Sequence, residues 1–234
     1  CVHWISDIKL SPFDSDTALF NTGTGLFMIT GLASGDVLVK PFCEGIEETV
    51  HLNVYTTPHG RNRIIDIIGD LGGFAFEDYD SECENSFANE NGDRYITCLN
   101  ADLTLSDPEY IVATPRGNWT GKTKGGLILS KDCGSTWERL SMPRGLSEFI
   151  DQKLDNIEKP NVDSGWTAIS ADGKRIMWAV AGGRGFSNKA VCYTDDEGKT
   201  WQKSIFMDSN GNSADEHYVK IFSDYYNSDL FFAI

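Results

Sequence analysis

One eight-residue phrase occurs twice in this chain of 234 residues, and it restricts the fold more than any other feature. The first copy is SKDCGSTW at 130–137, and the second is TDDEGKTW at 194–201. Both fit the pattern Ser/Thr-x-Asp-x-Gly-x-Thr-Trp, and they are separated by about one 40–50-residue repeat plus an insertion. Spacing of that size is typical of folds built from repeated structural units.

The residue types of the phrase predict a tight turn between two strands. The Asp side chain can accept backbone N–H bonds within the turn, and Gly supplies a positive φ. The Trp ring can cover apolar neighbours. This is the Asp-box, or BNR repeat, found in blades of β-propellers, and it predicts a structural role for these residues, not a catalytic one.

The rest of the chain has short β-branched or aromatic runs broken by Gly, Asn, Asp and Pro, which indicates an all-β fold. A looser repeat, strand then polar turn then strand, occurs at 4–20, at 166–178 and at 218–232. Apolar spacing over 146–157 allows one short helix. We therefore predict a β-propeller of about four to five blades.

We expect residues 1–234 to form a single partial propeller domain, cut at both ends. The chain opens at Cys1 without an initiator Met and closes on an apolar run at 230–234. An open arc of blades would leave the first and last without neighbours, so the chain is either an unusually small propeller or, as the preferred interpretation, an incomplete one.

The net charge of −15 argues against nucleic acid and anionic membranes as partners, because carboxylates repel phosphate. No apolar run reaches the length of about 18 residues that a membrane helix needs. The four histidines share no ligand spacing, so neither a metal site nor a cofactor is expected. A neutral polymer remains compatible with this charge.

Six cysteines without any Cys-x-x-Cys pair favour an oxidising compartment and a secreted, extracellular protein. Six thiols allow 15 pairings, and one can be argued locally: Cys83 and Cys98 lie on either side of the turn sequence Asn91-Gly92, so these two could face each other in a disulfide across a hairpin. The glycosylation triplet at 118–120 adds slightly to the secreted interpretation.

Further phrases resemble the second propeller of glycoside hydrolase family 74, the xyloglucanases and oligoxyloglucan cellobiohydrolases. They are HWISDI at 3–8 with PFD at 12–14 and GTGLF at 23–27, GIEET at 45–49, GDLGGF at 69–74, and SGWTAISADG at 164–173. The resemblance runs from about residue 3 to the end of the chain. It implies two seven-bladed propellers around a groove, with inverting hydrolysis of β-1,4-glucan bonds in xyloglucan.

The same resemblance implies that Asp70, in the GDLGGF phrase, is the general acid. The general base would belong to an N-terminal propeller of the same polypeptide, which this chain lacks. The apolar run at 64–68 predicts a strand that delivers Asp70 into a low-dielectric setting, where a carboxyl holds its proton more readily. Gly72 and Gly73 are interpreted as leaving room for a sugar ring. The alternative is a turn aspartate that accepts N–H bonds.

Aromatic rings can stack on pyranose rings, and three tryptophans outside the repeated phrases are candidates. Trp119 lies in a polar, glycine-flanked loop and is the strongest of them. Trp4 and Trp166 begin strands, so core packing is preferred for both, with substrate contact as the alternative.

Two functions follow from this sequence. The first is a xyloglucan-specific glycoside hydrolase that acts on a polysaccharide and is inactive as this segment alone. The second is a non-catalytic propeller that binds carbohydrate or acts as a sortilin-like receptor.

Overall fold

A computed structural model of the chain describes residues 4–45, 49–83, 85–118, 122–141, 165–180, 191–212 and 219–234. Every regular element in these ranges is a β-strand, as the sequence predicts. Within the same ranges, no helix is long and apolar enough to span a membrane. The helix predicted over 146–157 lies outside the described residues.

The chain divides into two compact units, Cys1–Thr49 and Val50–Ile234. The first unit holds one antiparallel sheet in the order β1-β2-β3-β4. Its strands are β1 (Asp7–Leu10), β2 (Thr17–Thr22), β3 (Gly25–Thr30) and β4 (Leu38–Pro41). Both end strands of this sheet, β1 and β4, are exposed along their whole length.

The second unit holds three further four-stranded sheets and a two-stranded one, each with antiparallel strands in chain order. One sheet has β5 (Val50–Thr56), β6 (Ile64–Gly69), β7 (Gly72–Phe76) and β8 (Asn85–Ser86). The next has β9 (Cys98–Leu103), β10 (Ile111–Pro115), β11 (Ile128–Ser130) and β12 (Glu138–Arg139). The last two have β13 (Trp166–Ile169), β14 (Ile176–Ala179), β15 (Val191–Thr194) and β16 (Gln202–Lys203), and then β17 (Ile221–Ser223) and β18 (Phe231–Ala233).

The two repeated phrases form matching turns, which we call the Asp-centred turns: 130–137 between β11 and β12, and 194–201 between β15 and β16. In the first, the Asp132 carboxylate accepts bonds from Thr136 N–H at 2.8 Å and from Thr136 Oγ1 at 2.6 Å. The Ser130 hydroxyl oxygen accepts the Gly134 N–H at 2.7 Å. Gly134 has φ 80°, which is why the phrase needs glycine there.

The second Asp-centred turn repeats this geometry. Asp196 accepts from Thr200 N–H at 2.8 Å and from Thr200 Oγ1 at 2.7 Å, and Thr194 Oγ1 accepts the Gly198 N–H at 2.8 Å. The hydrogen bonds from Thr200 lower the pKa of Asp196 to about 2. Both copies of the phrase thus have the predicted hydrogen bonds to the Asp carboxylate and the predicted positive φ at Gly.

Apolar clusters lie between successive sheets of the second unit. Ile65 and Ile67 of β6 pack with Ile111 of β10 and with Trp137, whose ring centroid lies 4.4 Å from that of Phe87. A second cluster joins the β9–β12 sheet to the β13–β16 sheet around Trp178, which is fully buried. Each sheet therefore buries one face against the next, and this is how propeller blades pack.

Side chains of β9 also connect the first strands of successive sheets. Asn100 Oδ1 accepts the Thr167 N–H of β13 at 2.7 Å. Asp102 accepts the Ile169 N–H of β13 at 2.9 Å and the Ser223 hydroxyl of β17 at 2.8 Å. One buried carboxylate thus bonds to two neighbouring sheets.

Asp102 makes stability depend on pH. Burial raises the pKa of Asp102 from 3.8 to about 6, although hydrogen bonds from Ile169 and Ser223 oppose the shift. Because the folded pKa lies above the unfolded one, the contribution of Asp102 to stability is present below about pH 4 and is lost as the pH rises through 6. We expect the free energy of unfolding of Asp102→Asn, relative to wild type, to increase between pH 4 and pH 7.

Urea unfolding of both proteins at pH 4, 5, 6 and 7 checks this expectation. Tyr55 and Tyr225 interact electrostatically with Asp102, but burial, together with the Asp102 charge, raises their pKa values. Both tyrosines therefore stay neutral over that range. A difference between the two proteins that does not change with pH would contradict it.

The disulfide predicted between Cys83 and Cys98 is wrong, because both thiols are free. Asn91-Gly92 does lie in a turn, with Gly92 N–H bonded to Asn89 O at 2.9 Å. However, Cys98 begins β9, the first strand of one sheet, whereas Cys83 precedes β8, the last strand of the sheet before it. These two strands do not pair with each other.

Candidate functional site

Asp70 lies in the two-residue turn that joins β6 to β7. Its backbone has φ 63°, a left-handed conformation that aspartate tolerates better than most residues. The residue is exposed. The prediction of a low-dielectric setting is therefore wrong, because the apolar part of β6 ends before the turn reaches solvent.

The Asp70 carboxylate takes part in no contact that stabilises the fold among the residues that the structure describes. Among the described residues, none donates a hydrogen bond to it, and the residue's own N–H donates to Thr97 Oγ1 at 3.0 Å. The turn is thus held by its backbone, while the acidic group remains available to a ligand. The alternative of a turn aspartate that accepts main-chain N–H bonds does not describe this geometry.

Thr97 connects the Asp70 turn to the neighbouring sheet, and sequence reasoning missed it. Besides accepting from Asp70, it forms a bridge with Gly72, and its carbonyl accepts the Arg116 N–H at 2.8 Å. Arg116 begins the loop between β10 and β11, which also carries Asn118. This loop therefore begins beside the Asp70 turn, and the bonds that hold it there are too distant in sequence to be predicted.

The interpretation that Gly72 and Gly73 leave room for a sugar ring is wrong. Both glycines are buried. A Cβ on Gly72 would meet Tyr95 O at 2.9 Å, and one on Gly73 would meet Asp66 O at 2.7 Å. The space beside them is occupied by the protein itself, so glycine is needed there for packing of the turn.

A histidine–aspartate pair lies in the same sheet as Asp70, and sequence reasoning missed it as well. His51 of β5 is opposite Ile68, and its Nδ1 lies 2.8 Å from Asp66 Oδ2. The Asp66 side chain is 9% exposed, whereas the His51 side chain is 53% exposed. The buried carboxylate therefore fixes the orientation of a half-exposed imidazole ring.

The three candidate tryptophans differ in their placement. Trp119 lies outside the described residues. Trp4 is 84% exposed, so the preferred prediction of core packing is wrong for it, because it precedes β1 and is not part of the sheet. Trp166 packs against a core cluster as predicted, with Phe222 edge-on at 6.1 Å and Lys220 Nζ 4.8 Å from its ring centroid.

The described residues contain no group of three or more His, Cys, Asp or Glu side chains that could hold a metal ion. At the turn between β6 and β7, the structure places one exposed carboxyl group, that of Asp70.

Solved structures define the class of fold. The chain superposes over 100% of its length on 29% of a GH74 xyloglucanase from Xanthomonas campestris, with TM-score 0.66 and 21% identity. It superposes over 99% of its length on 27% of a GH74 enzyme from Niastella koreensis, with TM-score 0.60 and 20% identity. Together with the successive antiparallel sheets, these matches define an all-β protein made of β-propeller blades.

Curated proteins give the particular resemblance. A xyloglucanase from a Paenibacillus species is 24% identical over 97% of this chain, and an oligoxyloglucan-reducing end-specific xyloglucanase from Emericella nidulans is 27% identical over 76% of it. By sequence and by fold, the chain is similar to members of glycoside hydrolase family 74, as its phrases indicate. It spans about a fifth of the length of these relatives. No family model matches the chain.

Proposed function

We propose that this chain is part of a secreted glycoside hydrolase that cleaves β-1,4-glucan bonds of xyloglucan with inversion, and that Asp70 is its general acid. The observation that carries the proposal is the geometry of Asp70, an exposed carboxyl on a turn fixed through Thr97, with no donor among the described residues. A general acid must reach the leaving oxygen of the substrate, so a carboxyl already bonded within the fold would be unsuitable.

An inverting enzyme needs a second carboxylate, about 6.5–9.5 Å from the first, to activate water on the opposite face of the sugar. We assign this group to another propeller of the same polypeptide, in keeping with the length of the relatives. Residues 1–234 alone are therefore expected to be inactive. The two Asp-centred turns are Asp-box repeats in this proposal, with a structural role.

Trp119 is proposed as a sugar-stacking residue. The loop that contains it begins at Arg116, whose N–H is bonded to Thr97, the residue that holds Asp70. Trp4 is a weaker candidate for the same role. Lys220 Nζ lies over the Trp166 ring and Phe222 packs against it edge-on, so the contribution of Trp166 to substrate contact is proposed to be small.

The stereochemistry of the first product tests the proposal. The full-length protein is expected to release xyloglucan fragments whose new reducing end is initially the α-anomer, because inversion at a β-linked carbon gives α. Proton NMR during the first minutes of hydrolysis, before mutarotation, measures this. An initial β-anomer would contradict inversion, and no hydrolysis of xyloglucan would favour the non-catalytic, carbohydrate-binding alternative.

A further inference from the structure

The first strands of the four sheets in the second unit line a pocket of about 260 Å³, which we call the inner-strand pocket. Its lining residues belong to β5, β9, β13 and β17, apart from Tyr225, which follows β17. The Asp102 carboxylate lies where three of these strands meet, because it accepts hydrogen bonds from β13 and from β17. The volume is just below the range of about 300–1,000 Å³ that is usual for drug-sized ligands, so the pocket suits a small ligand.

The charge of the inner-strand pocket comes from Asp102. Among the residues that the structure describes, no lysine, arginine or histidine lines the pocket, and none forms an ion pair with Asp102. Asp102 is only 8% exposed. Its carboxylate accepts three hydrogen bonds, from Leu103, Ile169 and Ser223, whereas a carboxylate can accept about four. A buried, ionised carboxylate without a counter-charge is unfavourable, and a cation in the pocket would relieve that cost.

Aromatic side chains form much of the remaining lining. They are Tyr55, Trp166, Phe222 and Tyr225. The face of an aromatic ring attracts a cation electrostatically, and the attraction is stronger where water is excluded. Trp166 already makes one such contact, because Lys220 Nζ lies 4.8 Å from its ring centroid. Lys220 does not line the pocket, so its ammonium group leaves the charge of Asp102 uncompensated.

We propose that the inner-strand pocket binds a small organic cation, namely a primary ammonium group on a short alkyl chain. An ammonium group has three N–H donors, so one of them can bond to the remaining lone pair of Asp102 while the alkyl chain contacts the aromatic rings. An anion is repelled by the same carboxylate, and a neutral ligand leaves its charge uncompensated. The proposal goes beyond the proposed hydrolysis and does not depend on it, because Asp70 does not line this pocket.

Isothermal titration calorimetry of the full-length protein with n-butylammonium chloride at pH 7 tests this proposal. The matched probes are 1-butanol and sodium butyrate, which keep the alkyl chain and change only the polar end. We expect butylammonium to bind saturably, 1-butanol to bind about tenfold more weakly or worse, because a hydrogen bond to a charged group loses its charge, and butyrate not to bind. No binding of butylammonium, or equal binding of butylammonium and 1-butanol, would overturn the proposal.

The variant Asp102→Asn assigns the binding to this carboxylate. Asparagine has nearly the same shape, and its side-chain oxygen can still accept the bonds from Ile169 and Ser223, so the fold should persist, as circular dichroism checks. We expect butylammonium affinity at pH 7 to fall about tenfold or more. Asp80→Asn removes an exposed carboxylate elsewhere in the same unit and should leave the affinity unchanged. Equal losses in the two variants would mean that overall negative charge attracts the amine, and would contradict a specific site.

The pH dependence of binding gives an independent measurement on the wild-type protein. An alkyl ammonium group stays charged up to about pH 10, whereas Asp102, whose pKa burial raises to about 6, becomes neutral in acid. Tyr55 and Tyr225, which face Asp102 from β5 and from the segment after β17, stay neutral throughout. We therefore expect butylammonium to bind about tenfold more weakly at pH 5 than at pH 7. Equal affinity at the two pH values would overturn the pairing with Asp102.

Discussion

Replacing Asp70 by asparagine in the full-length protein is expected to lower kcat for xyloglucan hydrolysis by about 10²–10⁴-fold, the usual contribution of general acid catalysis. Asparagine has nearly the same shape but no proton to give to the leaving oxygen. The fold should persist, because the hydrogen bond to Thr97 comes from the Asp70 backbone N–H and not from its carboxylate. Steady-state release of reducing ends from xyloglucan, together with a circular dichroism spectrum, measures both effects.

The matched control is Asp80→Asn. Asp80 is also an exposed turn aspartate of the same sheet, but it lies in the β7–β8 connection, at the opposite end of β7 from Asp70. Removing its charge should leave kcat unchanged. Equal losses in the two variants would mean that general electrostatics, and not proton transfer from Asp70, underlie the effect.

Replacing Trp178 by alanine is expected to reduce the free energy of unfolding by about 3–5 kcal/mol, the usual cost of removing a buried tryptophan. Trp178 is fully buried between the β9–β12 and β13–β16 sheets, and its ring centroid lies 5.9 Å from that of Trp201. Because domains are stabilised by only about 5–15 kcal/mol, this loss brings the second unit close to unfolding. Urea unfolding followed by far-ultraviolet circular dichroism measures it.

Tyr79→Ala provides the comparison for that experiment. Tyr79 is 86% exposed in the same unit, so its removal should change the free energy of unfolding by no more than about 0.5 kcal/mol. If Trp178→Ala were as mild as Tyr79→Ala, the packing between these two sheets would not be the stabilising contact that the structure indicates.

Local sequence rules predicted the parts of the fold whose interactions are local. The Asp-centred turns could be predicted from Asp132 and Asp196 because each hydrogen bond of those carboxylates joins residues no more than four positions apart in the sequence. The strands were predictable for the same reason, since β-branched and aromatic runs favour extended backbone.

Interactions between sheets could not be predicted from the sequence alone. Thr97 holds the Asp70 turn across 27 residues, and Asn100 reaches Thr167 across 67. The Cys83–Cys98 prediction failed because turn chemistry at Asn91-Gly92 is local, whereas assignment of strands to sheets is not. The exposure of Asp70 likewise depends on where β6 ends relative to its neighbours.

The dependence of hydrolysis on the leaving group tests the role of Asp70 most directly. In aryl glycosides of a xyloglucan oligosaccharide, an acidic phenol can leave as the phenolate without being protonated. A sugar leaving group needs a proton from the general acid. The Asp70→Asn variant is therefore expected to keep nearly wild-type kcat/KM on the most acidic aryl substrate and to lose activity progressively as the phenol pKa rises. A variant that is equally impaired on every leaving group would contradict the assignment of Asp70 as the general acid.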